Sequence, residues 1–148
     1  MKDLLERLRQ TDNNSASIIL RISFSMMLLP HAVGKVFGAW GGMGFEKTMQ
    51  HMTENMHIFY IFALLAIVVE FLSTLAIIVG YQTRINAFLL AIFMFVASTF
   101  HFQHGFYMNW FGQKTGEGFE FHILSVGMML ALAVLGGGKY SLDRKISK

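Results

Sequence analysis

From Ile58 to Gly80 the chain carries a single charged side chain, Glu70, in a run long enough to cross a bilayer. This feature constrains the fold most, because a helix of a soluble bundle needs a polar outer face. Three further segments share the property: Ile18–Phe37, Ile85–Phe102 and Phe119–Gly136. The stretch INAFLLAIFMFVASTF at 85–100 has no polar face at all. About 20 apolar residues cover about 30 Å of hydrocarbon. The four segments therefore predict an all-α fold: a polytopic membrane protein whose single domain, 1–148, is a four-transmembrane-helix bundle with spans at 18–37, 58–80, 85–102 and 119–136. Asp3–Arg9 reads as a short N-terminal interfacial helix, amphipathic and lying on the membrane surface.

Composition supports lipid as the solvent. Only 14% of residues are charged, against about a quarter in soluble domains. With no cysteine, disulfide frameworks, thiolate zinc sites and thiol nucleophiles are excluded. A net charge of +3 gives no reason to invoke nucleic acid. The first residues are too charged and short for a cleaved signal peptide.

Local signals set the ends of the spans. Asn13, Asn14 and Ser15 can cap the first, Gly80-Tyr-Gln-Thr forms a tight turn between the second and third, and Gly136-Gly-Gly stops the fourth. Tyr60, Trp40, Tyr107 and Trp110 fall at one interface, Tyr81 and Tyr140 at the other. Lys2, Arg7, Arg9, Arg84, Lys139, Arg144, Lys145 and Lys148 flank one side, with Arg21 just inside it; only Lys35, Lys47 and Lys114 belong to the other. The positive-inside tendency then makes both termini cytoplasmic, and segments 38–57 and 103–118 become outer loops.

The ionisable residues inside the spans point to a site. A charge at mid-bilayer costs at least about 2.5–3.5 kcal/mol, so it faces the bundle and finds a partner. Glu70 lies near the midplane; its candidate partners are His31, Lys35 and Arg21. At 1.5 Å per residue, His31, Lys35, His101 and His122 fall in one layer about 20–26 Å above the inner boundary. Arg21, Ser25, His31, Lys35 and Gly38 share a helical face within about 120°; Glu70 shares its face with Ala63, Ala66, Ser73 and Thr74. Pro30 frees the carbonyl of Met26 and tends to kink the first span, which calls for a polar spot beside His31.

Residues Arg21, His31 and Lys35 (R-x9-H-x3-K), the lone Glu70, G-x-x-T-R at Gly80–Arg84, G-x-K-Y-S-L-D at Gly137–Asp143 and NWFGQKTGEGFEFHIL at 109–124 together resemble the DoxX family over about 18–143. Ala32 after His31, and Phe-Leu-Ser-Thr after Glu70, depart from the glycines common there. The resemblance implies a four-helix bacterial inner-membrane protein. Its namesakes are small membrane subunits associated with quinone-linked oxidation, notably thiosulfate:quinone oxidoreductase; relatives serve methylamine utilisation and oxidative-stress complexes.

Three functions follow as expectations. The first is the membrane subunit of a redox assembly binding quinone or quinol at a Glu/His/Lys site. Glu70 and His31 handle protons, Lys35 sets local charge, Arg21 ties the inner end of its helix, and His101, His104, Glu120 and His122 line an outer mouth. No cofactor is covalently held, and electrons enter from a partner protein. The second is outward-facing copper handling by Met49, His51, Met52, Met56 and His57 in MQHMTENMH, thioether and imidazole suiting soft metals. The third is an assembly subunit without chemistry. The bilayer is the common partner, and small residues on the spans allow close contacts within one chain or in a homo-oligomer.

Overall fold

The long helices carry their bulky apolar side chains on the outside. In the computed structural model, residues 6 and 8–147 are described. The elements are α1 (Ala16–Phe37), α2 (Gly44–Gln50), α3 (Tyr60–Val79), α4 (Thr83–His101), α5 (Glu120–Leu135) and α6 (Leu142–Ile146), with no strand among the described residues. On α3, Phe62, Leu65, Leu72 and Val79 are exposed while Ala63, Glu70, Ser73 and Thr74 are buried. Lipid as solvent selects that inversion: apolar bulk faces outward, small residues let backbones approach, and polar groups turn inward. The fold is a helical membrane bundle. Three helices have the length and hydropathy to cross a membrane, and α5, with 16 residues, is a shorter apolar helix of about 24 Å.

The four long helices close into a ring, α1 against α3, α3 against α4, α4 against α5 and α5 against α1. The main core is built by Phe24 and Leu28 of α1, Ile77 of α3, Leu90 and Met94 of α4, and Met129 and Leu132 of α5. A smaller cluster of Met49, Ala63 and Ile67 packs where α2 meets α3.

Several helix ends are met by side chains, some from elsewhere in the chain. Asn14 caps α1, its Oδ1 accepting the Ser17 N–H at 2.9 Å. α1 runs on through Pro30 and ends at Gly38, whose φ of +71° is the left-handed stop glycine permits. Arg21 donates to the carbonyls of Ile77 and Ile78 at the end of α3, and to those of Gly137 and Tyr140 beyond α5. Arg84 donates to Ala133 and Val134 at the end of α5. Asp143 accepts the N–H groups of Gln82 and Thr83 at the start of α4, both at 2.7 Å. Gly80 is required in this clasp, because its φ is +70° and a Cβ there would lie 2.6 Å from Ser141 and 2.8 Å from the Arg21 guanidinium carbon. The G-x-x-T-R and G-x-K-Y-S-L-D motifs thus meet Arg21 in one knot that joins the ends of α3, α4 and α5.

Two regions differ from expectation. Segment 38–57, read as a loop, holds α2 and a π-helical turn at His51–Asn55; its Met49 and Met52 side chains have an apolar surface to cover at Ala63 and Ile67. The chain also resumes helix after the glycine stop, as α6, with Ser141 Oγ accepting the Arg144 N–H. The interfacial helix expected at Asp3–Arg9 falls largely outside the described residues.

Candidate functional site

Glu70, with 1% of its surface exposed, projects from the middle of α3 into the ring. Among its three candidate partners the structure selects Lys35, whose Nζ lies 2.6 Å from Glu70 Oε2. The lysine is half-buried and its ammonium also lies 5.5 Å from the centre of the Phe93 ring, a favourable cation–π distance. Arg21 is committed to the clasp and does not line the cavity at Glu70. His31 does line it but is exposed and has no bond to Glu70. Ten residues beyond Arg21, it falls about 80° round the helix, at the edge of the buried stripe.

A cavity of about 460 Å³ opens beside the ion pair, within the range of small-molecule sites. Its polar lining is His31, Lys35, Glu70, His101, Glu117 and His122; Phe93, Met94 and Phe121 are among its apolar walls. The layer expected from helical heights is therefore assembled, by α1, α4 and α5 around Glu70 of α3. Pro30 borders an adjoining space of about 340 Å³ with His31 and Lys35, which answers the expectation of a spot beside the proline.

Two histidines stack on the far side of the cavity. The rings of His101 and His122 are 4.6 Å apart, tilted by 35°. His101 Nδ1 lies 3.0 Å from the Glu117 carbonyl; a carbonyl only accepts, so this nitrogen carries the proton. A neutral His101 ring is left with Nε2 as acceptor. His122 is 8% exposed, and its Nδ1 has no hydrogen-bond partner among the described residues. A buried polar atom without a partner costs about 1–3 kcal/mol, so something outside the chain's own groups suits this position.

Segment 105–119 forms a braced lid over the end of the bundle where α4 stops and α5 starts. Glu120 Oε1 accepts from the Trp110 indole and the Met108 N–H, and Glu117 Oε2 accepts the Asn109 N–H. Lys114 donates to the Tyr107 carbonyl at 2.6 Å. Glu120 therefore holds the lid instead of lining the mouth, and an acid in the first turn also suits the dipole of α5. His104 packs its ring against Gly116, where a Cβ would come within 2.5 Å of it, and does not line the cavity. Met108, Trp110 and Glu117 line the cavity and were not anticipated. The signal available was the aromatic and acidic content of a glycine-rich segment, but loop conformation has no periodicity to read.

The candidate metal ligands fall in three places. Met49 is buried against Ala63 and Ile67; His51, Met52 and Met56 line a second cavity; His57 is exposed with φ +55° and lines neither cavity. Among the described residues no three His, Asp or Glu side chains cluster as a metal site.

Residues 16–103 match the family model described as DoxX. No curated protein matches the chain, and neither does any solved structure. The matched segment contains Arg21, His31, Lys35, Glu70 and His101, and the chain belongs to the DoxX family.

Proposed function

We propose that this member of the DoxX family, a multi-pass membrane protein, is the membrane subunit of a bacterial inner-membrane redox assembly. In this reading it binds a quinone or quinol in the cavity around Glu70. The observation that carries it is the unpartnered, buried Nδ1 of His122 in a residue lining the same space as the Lys35–Glu70 pair. A 1,4-quinone has two carbonyl oxygens on a flat ring, and its reduction takes up protons with electrons. The residues fit such a molecule. Lys35 offers a donor already held in place, His122 a free ring nitrogen, and Phe93 and Phe121 apolar walls. Glu70 and His101 can hold a proton within the site. The family is often linked to redox and quinone chemistry, which supports the same assignment. Electrons then come from a partner protein, and both termini are cytoplasmic, as the Lys and Arg distribution favours.

Trp110 lines the cavity and is one of two tryptophans in the chain, so ligand binding has an intrinsic reporter. In lipid nanodiscs, a 1,4-naphthoquinone is expected to quench this fluorescence saturably, and Trp110→Phe to remove most of the signal. His122→Phe removes the orphaned nitrogen without opening a hole; it should weaken binding at least tenfold, about 1.4 kcal/mol, while stability holds or rises. Unchanged affinity in that variant would sink the reading. A variant carrying Glu70→Gln and His31→Ala that still supports the partner's activity would instead favour a pure assembly role.

A further inference from the structure

The cavity at Glu70 has an apolar neighbour. A second chamber of about 280 Å³ shares Lys35, Phe93, Ala97 and His101 with the first. Away from those shared residues its walls are mainly apolar: Phe62 and Ala66 of α3, Val96 and Phe100 of α4, and Met52 and Met56 after α2. Phe62 and Val96 are 60% and 49% exposed on the outer surface of the bundle, the surface that meets lipid. The chamber therefore lies between the acyl-chain region and the ion pair, polar at one end and apolar at the other. Small side chains at Ala66 and Ala97 leave the space between α3 and α4, and methionine walls adapt to an irregular chain. On another side the Glu70 cavity is bordered by Met108, Trp110 and Glu117, in the segment that the Glu120 and Glu117 hydrogen bonds brace.

We infer that this chamber holds the hydrocarbon tail of the ligand whose ring sits beside Glu70, and that the molecule enters sideways from the membrane between α3 and α4. The inference rests on the quinone reading of the Glu70 cavity. It adds a chemical class to that reading: the ligand is a tailed, lipid-dissolved quinone, and the tail leaves toward α3 and α4. A cavity of about 150 Å³ admits a benzene ring, so this chamber takes on the order of ten carbons, or two isoprene units. A longer tail continues into lipid past Phe62 and Val96.

Ala66 lines the tail chamber and not the ring cavity, which separates the two ideas experimentally. In nanodiscs, wild type and Ala66→Phe are titrated with 1,4-naphthoquinone and with the same ring bearing a decyl tail. Ala66→Phe is expected to weaken the decyl probe at least tenfold and leave the tailless probe within about twofold. Equal affinities for both probes in both proteins would overturn the tail site and leave the ring site standing. Failure of the wild type to bind either probe would overturn both. As a check that does not depend on the variant folding, a decyl probe with a diazirine at its tail end is photolysed on the wild type. Adducts within 52–66 and 93–100 support the chamber; adducts confined to α1 and α5, or to lipid, overturn it.

Discussion

At the scale of single residues, the Lys35–Glu70 pair is the most consequential contact in the bundle. Glu70 is almost wholly buried, whereas the Lys35 side chain keeps 36% of its surface. The two partners are therefore unequal when removed. Lys35→Met strands a buried carboxylate, which costs about 3 kcal/mol, the low end for a broken buried pair, because the carboxyl can protonate instead. Glu70→Gln leaves an ammonium with access to the cavity and costs less. The double variant is expected to recover most of the loss, since two neutral groups of similar shape replace two charges. Unfolding titrations in mixed micelles check the cycle; additive losses would mean that the contact contributes little. That Glu70 faces inward was legible from its position among Ala63, Ser73 and Thr74. Its choice of partner was not, because it depends on side-chain reach and on a helix rotation of a few tens of degrees, which also set His31 at the rim.

Among elements, the helix ends carry the specificity. Asp143 supplies both carboxylate oxygens to the start of α4 from the first turn of α6. Replacing it with Ala leaves two N–H groups uncapped, a loss of about 1–2 kcal/mol by comparison with other caps. The expected signature is local: faster hydrogen exchange over 80–86, with α5 unaffected. Exchange rising equally in every helix would show that the cap is instead a keystone of the whole bundle. The motifs that build this clasp were visible in the sequence as spacings and turn glycines, but a spacing does not say which groups it meets. Only their meeting with Arg21 shows that G-x-x-T-R and G-x-K-Y-S-L-D close helix ends. α2 and the lid were illegible for a different reason. They are held by irregular contacts, such as the Glu120 bonds to Met108 and Trp110, that leave no period in the chain.

For the whole molecule, apolar length and the scarcity of charge were enough to establish the helical membrane bundle, because lipid allows few alternatives. The shorter α5 still closes the ring against α4 and α1. Orientation is open to a direct test, since the chain has no cysteine. With single cysteines introduced at Lys114 and at Ser147, a membrane-impermeant maleimide is expected to label the first in intact cells. The second should label only after the membrane is permeabilised. The reverse pattern would invert the compartments and leave the geometry of the cavity as it is.

Arg21 binds acceptors as far as 119 residues along the chain. During synthesis, α1 is made long before Gly137 and Tyr140 exist. Its guanidinium must wait at the edge of the bilayer, first with water and headgroups, then with the carbonyls that α3 brings. Assembly of this small protein is accordingly ordered in time: the earliest span keeps an obligation open until nearly the whole chain has been made.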